Sequence, residues 1–185
     1  MIGFFILLYS SVHAAEFRTH SLLGGIRLDS TDSAVGGGAQ LQYRWHHSPS
    51  LSVDASGGIG YLNQAKTSWE EDHSSLLLTI GPSWHVHRSQ QIDVYLGLRF
   101  LHLHHATLNS WLQTPVANMI GDSAGGVLHR SGLGTTLGLN RVLLTLPTRH
   151  IIMWENEISL QWIPSSAEYH VLGEFSTGLR WGIAD

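Results

Sequence analysis

Three histidines and one serine occur at spacings that could support chemistry. His102 and His104 are separated by one residue, and alternate residues of a β-strand point to the same face. Two imidazoles in that arrangement could chelate zinc or copper, with His129 as a third ligand. His102, His104 and His129 are therefore candidate metal ligands, although no other pattern in the chain predicts a cofactor.

A second arrangement involves His129 and Ser131, which are also separated by one residue. A histidine beside a serine can activate the hydroxyl as a nucleophile, usually with a carboxylate orienting the imidazole. His129 and Ser131 are thus candidate catalytic residues, but no acid on the same face lies nearby. In a third interpretation, these histidines contact only water and phosphate groups.

Another His-x-His pair, His85 and His87, falls on the other phase of its segment, near a short turn. We expect these two side chains to be solvated and not to bind a metal.

The elements that would position these residues read as β-strands. In DVYLGLRF (93–100) every second residue is apolar, and this period of two recurs in eight segments between residues 22 and 183. Helical periodicity is nearly absent, so the pattern predicts eight strands.

The polar phase of these strands has an unusual composition. Only 13% of the residues are charged, against about 25% in typical soluble domains, and the single lysine is Lys66. Small residues and equal numbers of arginines and acids suit a crowded, ion-paired interior better than a hydrated surface. The predicted interior polar cluster consists of Arg27, Arg44, Asp54, Asp93, Arg99, Arg130, Glu155, Glu157, Glu174 and Arg180.

The large aromatic residues share the apolar phase and fall near strand ends. Two belts of tryptophan and tyrosine are typical of strands that cross a bilayer. The predicted belts contain Tyr43, Trp45, Trp84, Trp154 and Trp181 near one end, and Tyr61, Phe100 and Trp162 near the other.

The connections alternate in character. Short turns are predicted at 46–50, 87–91 and 146–150, and the other connections at 29–33, 63–73, 107–126 and 164–168. The segment 141–146 breaks the alternation and predicts a bulge or a strand end.

The cysteine count and the net charge exclude some classes of protein, and an apolar run at the start of the chain predicts a segment outside the barrel. The 185 residues include no cysteine, so neither disulfides nor thiolate metal sites are expected, and the net charge of −4 argues against nucleic acid as a partner. The apolar run within residues 1–14 predicts a signal peptide, which leaves 15–185 as a single β-barrel domain.

Together these features predict an all-β fold, an eight-stranded antiparallel up-and-down transmembrane β-barrel, because strands in lipid must close to pair every backbone group. Residues 16–185 resemble the small eight-stranded outer-membrane β-barrels of the OmpA and opacity type, which are porin-like. The resemblance implies a bacterial outer membrane, periplasmic termini, and contacts with membrane lipid and lipopolysaccharide. The ending WGIAD departs from the aromatic end that is common in such chains.

The resemblance leaves several functions open. We expect a structural or adhesive protein, or one that binds a protein partner through the segment 107–126. One alternative is a lipid A-modifying hydrolase, since His129-Arg130-Ser131 resembles the His-x-Ser of lipid A deacylases, with Gly132 where asparagine usually follows. The other alternative is a small pore.

Overall fold

A computed structural model describes residues 18–31, 34–64, 73–107, 128–164 and 170–184. The predicted signal peptide (1–14) and nearly all of the segment 107–126 lie outside these residues. Among the described residues, no helix has the length and apolarity to span a membrane. The strands are β1 (Arg18–Ser30), β2 (Ala34–Ser48), β3 (Leu51–Gln64), β4 (His73–Arg88), β5 (Ile92–Thr107), β6 (Leu128–Thr145), β7 (His150–Trp162) and β8 (Val171–Ala184).

The eight strands form one closed barrel in sequence order. Each strand pairs in antiparallel fashion with its neighbours in the chain, and β1 closes the barrel by pairing with β8 from Arg18–Ala184 to Ser30–Gly173. The predicted fold class, an eight-stranded antiparallel up-and-down β-barrel, is confirmed. The strands have 13 to 18 residues, more than the roughly 9–11 that a tilted strand needs to cross a bilayer.

The barrel has two ends that differ in their connections. At one end, which we call the terminal rim, lie the start of β1, the end of β8 and the short turns at 49–50, 89–91 and 146–149. The far rim carries the other four connections, of which 108–127 is the longest.

The two phases of the strands lie on opposite sides of the barrel wall. Apolar side chains such as Ile26, Leu41 and Ile59 are 60–66% exposed on the outside, whereas Arg27 and Arg44 are 1–2% exposed on the inside. This arrangement is the reverse of a water-soluble barrel, in which apolar side chains fill the interior.

Two predicted connections are shorter than expected because the strand pairing continues into them. Asp29 belongs to β1, where it pairs with Gly36 on one side and Glu174 on the other, and Arg88 is the last residue of β4, opposite Asp93. Both side chains therefore belong to the barrel wall and not to a loop.

Register shifts interrupt the strand pairing at four places in the described strands, and two of them bear on the sequence predictions. The shift between Val142 and Leu144 confirms the irregularity predicted for 141–146. A second shift, between His85 and His87, buries His85 in the interior while His87 is exposed. The expectation that His85 and His87 share the inward phase was wrong, because a bulge inserts a residue and turns the following side chain to the other face.

A glycine creates space for Tyr95, the one fully buried tyrosine among the described residues. Tyr95 is opposite Gly138 across β5 and β6, and a Cβ atom at Gly138 would overlap the tyrosine ring. The ring is thus held flat against the wall, with the Arg44 guanidinium 4.0 Å from its centroid.

We expect Gly138→Ala to destabilise the barrel by about 1–3 kcal/mol, because the methyl group displaces the Tyr95 ring. Urea unfolding of the protein refolded in detergent measures the change. Gly24→Ala is the matched control, since its Cβ meets only a leucine methyl group at 3.9 Å. Equal stabilities of the two variants would contradict this account of the Tyr95–Gly138 contact.

Candidate functional site

The centre of the barrel interior contains a carboxylate shared by three donors. Glu155 on β7 accepts bonds from Arg180 Nε (2.5 Å) and Nη2 (2.7 Å), from Arg44 Nη1 (3.2 Å) and from the Tyr95 hydroxyl (3.1 Å). The same hydroxyl lies 2.6 Å from Glu157, so the two carboxylates share its single proton. Strands that are distant in sequence are therefore linked through one buried group.

A second carboxylate extends this network across the barrel. Asp54 on β3 accepts two bonds from Arg44, at 2.5 and 3.1 Å, and a third from Arg99 Nη2 at 2.6 Å. Ser83 donates to the same carboxylate at 2.7 Å. Buried charges are tolerated when paired and hydrogen-bonded in this way.

Two further ion pairs lie toward the ends of the interior and were missed by the sequence reasoning. Arg27 Nε lies 3.1 Å from Asp29, and Arg88 Nη2 lies 3.2 Å from Asp93. Asp29 and Arg88 were assigned to connections. Extending the alternation of β1 would have placed Asp29 on the inward phase, but Arg88 points inward only because of the bulge between His85 and His87.

Apolar side chains fill part of the interior near the far rim, a feature that sequence reasoning also missed. The far-rim apolar cluster, defined by five buried side chains, consists of Leu77, Leu101, Leu103, Ile163 and Leu172. The signal was present as apolar residues on both phases, for example LLL at 76–78 and the leucines that alternate with His102 and His104.

All ten residues of the predicted interior cluster are buried, at 7% exposure or less. Arg130 and Glu174 lie nearer the far rim than Arg44 and Asp54, and Glu174 accepts a bond from Gln161 at 3.3 Å. The eight predicted belt aromatics are all on the outside, at 39–56% exposure.

We expect Glu155→Gln to destabilise the barrel by about 3–5 kcal/mol, because Arg180 and Arg44 lose their shared counter-charge inside the barrel. Urea unfolding in detergent measures the loss. Arg141→Gln on the exposed face of β6 is the control and should change stability by no more than about 0.5 kcal/mol. A similar stability in both variants would mean that the interior is hydrated enough to screen the network.

The candidate histidines meet on the outside of the barrel, near the far rim. His104 on β5 is directly opposite His129 on β6, and His102 is opposite Ser131. The ring centroids are 4.4 Å apart for His104 and His129, 4.7 Å for His102 and His104, and 5.6 Å for His102 and His129. We call these three residues the histidine cluster.

The serine next to this cluster is bonded to a histidine of the other strand. His102 Nδ1 lies 3.0 Å from Ser131 Oγ, while His129 Nε2 is buried and has no hydrogen-bond partner among the described residues. All six carboxyl side chains in the described ranges are buried inside the barrel. Within those ranges, therefore, no acid is placed to orient a catalytic histidine on the outer face.

Comparison with solved structures finds barrels of the same kind. Neisserial surface protein A matches with a TM-score of 0.60 and 13% identity, over 90% of this chain and 97% of that chain. The Yersinia pestis outer membrane protein Ail in a phospholipid nanodisc matches at 0.50 and 16%, over 90% and 100%. The N-terminal β-barrel domain of Pseudomonas aeruginosa OprF matches at 0.50 and 9%, over 88% and 98%.

At sequence identities of 9–16%, the similarity to these structures shows a shared fold. The chain has the fold of the small eight-stranded outer-membrane β-barrels. No protein-family model matches the chain, and no curated protein matches it in sequence.

Proposed function

We propose that the chain is an integral outer-membrane β-barrel protein of a Gram-negative bacterium with a closed interior, and that its role is structural, adhesive or partner-binding. One observation carries the proposal: the barrel wall is apolar outside and ion-paired inside. Leucine, isoleucine, valine and tryptophan side chains are about half exposed all around the barrel. Such a continuous apolar surface far exceeds the patches found on soluble monomers.

A soluble barrel that binds an apolar ligand is the opposite arrangement and fits poorly. Such a protein needs an apolar cavity inside and polar residues outside. Here the central interior is occupied by the carboxylates of Glu155 and Asp54 and the arginines bonded to them. An apolar ligand would have no surface to contact there.

The orientation follows from the connections. Small outer-membrane barrels have short periplasmic turns and longer outer loops. The terminal rim, with its short turns, is accordingly the periplasmic side in this proposal, and the far rim is the outer side. The histidine cluster then lies at the level of lipopolysaccharide head groups. The segment 107–126 stays a predicted partner-binding segment, because residues 108–127 lie outside the described ranges.

The interior argues against a pore. An eight-stranded barrel is only just wide enough for side chains to fill it. Five buried arginines and six buried carboxyl side chains occupy the interior of the described strands, together with the far-rim apolar cluster, whose Leu103 is directly opposite Arg130. An ion would have to displace these side chains to cross.

We expect the protein to fractionate with the outer membrane and to migrate differently in SDS before and after boiling, because lipid-embedded barrels resist SDS until heated. The purified barrel should add no conductance to a planar bilayer after verified insertion. Recovery as a soluble periplasmic protein would contradict the membrane assignment. Single-channel currents would contradict the closed interior but not the membrane assignment.

A hydrolase acting on acyl chains of lipid A is the second candidate, favoured by the contact between His102 and Ser131. If Nδ1 of His102 accepts the hydroxyl proton, Ser131 can attack an ester carbonyl, and the proton passes to the departing alcohol. Water then releases the fatty acid from the serine. The predicted base His129 stays a prediction, but His102 is the histidine in hydrogen-bond reach.

We expect Ser131→Ala to change the acylation pattern of lipid A if this candidate is correct, since the nucleophile is removed. Mass spectrometry of lipid A from cells with each variant measures it. Thr135→Ala, an exposed residue on the same phase of β6, is the matched control. The hydrolase would be excluded if lipid A had the same acylation pattern in cells with the wild-type protein, in cells with Ser131→Ala and in cells that lack the protein.

A further inference from the structure

The histidine cluster has the register of a chelating site. Two of its imidazoles alternate along β5, and the third projects from the directly opposed position of β6. In an antiparallel pair, directly opposed side chains are the closest neighbours on one face of the sheet. The cluster therefore depends on backbone pairing and not on the conformation of a loop.

The ligand atoms are close to metal-binding distance. One nitrogen from each of His102, His104 and His129 lies within 4.8 Å of the other two. A tetrahedral zinc ion with Zn–N bonds of 2.0–2.1 Å holds its nitrogens about 3.3 Å apart. Rotations of the side chains can close this difference, because His102 and His129 are only half-buried.

The hydrogen bonding around the cluster fits metal binding. His129 Nε2 is buried and unpartnered among the described residues, so a metal ion would satisfy a nitrogen that is otherwise desolvated. A metal-ligating histidine usually donates its other ring N–H to an oxygen. Ser131 Oγ is in position to accept that bond from His102 Nδ1, which leaves His102 Nε2 for the metal.

The surrounding charges do not oppose a cation at this position. Arg130, between the ligand His129 and Ser131 in sequence, is 6% exposed on the inner face of the sheet. Its guanidinium is thus separated from the histidine cluster by the barrel wall.

The other His-x-His pair in the chain shows why spacing alone is insufficient. The bulge between His85 and His87 places them on different faces. Both ring nitrogens of His85 are also engaged, Nδ1 with Asp93 at 2.7 Å and Nε2 with Ser52 at 3.0 Å.

We propose that His102, His104 and His129 bind one divalent transition-metal ion of the zinc type on the outer surface of the barrel. Three imidazoles leave a fourth coordination position for water or an anionic group, as in zinc sites with three protein ligands. This inference does not rest on the proposed function, because the cluster belongs to the barrel wall itself. It differs from the hydrolase in the tautomer: His102 Nδ1 donates to Ser131 here and accepts from it there.

The test uses the full barrel without a histidine tag, refolded in detergent and titrated with Co²⁺, then with Zn²⁺ as competitor. Wild type should bind one Co²⁺ per chain with the intense visible absorption of a tetrahedral site, and Zn²⁺ should displace it. His129→Asn, His102→Asn and His104→Asn should each weaken binding by at least about 100-fold, and Ser131→Ala by about 10–100-fold. His87→Asn is the matched control and should bind as wild type does.

The wild-type titration decides even if a variant fails to fold. Absence of saturable binding at one ion per chain, or an octahedral spectrum, would overturn the proposal. So would equal affinity of wild type and a folded His129→Asn variant, which would point to scattered surface histidines. The SDS mobility shift checks that each variant is folded, and a failure of that shift in wild type would contradict the membrane barrel and not the metal site.

Discussion

The structure depends on one constraint, the pairing of every strand with two neighbours around a closed ring. A backbone amide or carbonyl without a partner costs several kcal/mol in hydrocarbon. The closing contact is the ladder between β1 and β8, which runs over both strands nearly from end to end. Once the ring is closed, the strand period of two divides the side chains into one set that contacts lipid and one that fills the interior.

The interior set must satisfy its own charges. Arginines reach from β2, β5 and β8 to the carboxylates of Asp54 and Glu155, so each acid links strands that the backbone ladder does not join directly. Planar guanidinium groups suit this role because they form several fixed hydrogen bonds and stack on Tyr95. The absence of lysine from the described ranges agrees with this chemistry.

The fold could be predicted from the sequence because a period of two is a local signal, and the composition of the polar phase distinguished a lipid-facing barrel from a soluble one. The exact ends of the strands could not be predicted, because Asp29 and Arg88 resemble turn residues. Only the pairing with neighbouring strands shows that both belong to strands. The bulge that separates His85 from His87 has no signature in the two-residue spacing.

The histidine cluster also shows how far the sequence pattern could predict the candidate site. Alternation places His102 and His104 on one face, but only the register of β5 against β6 decides that His129 is opposite His104 and not one pair further along. The register also joined Ser131 to His102, a pairing between strands that the motif His129-Arg130-Ser131 does not suggest. Sequence patterns thus identified the residues, while strand register decided their partners.

The far-rim apolar cluster makes the interior asymmetric toward water. Leu101 and Ile163 are completely buried at that end, whereas the opposite end of the network contains His46, His85 and the slightly exposed Arg88. Among the ion-paired side chains of the described residues, Arg88 is the most exposed, at 10%. The charge network of the described strands is therefore most accessible to water at the terminal rim.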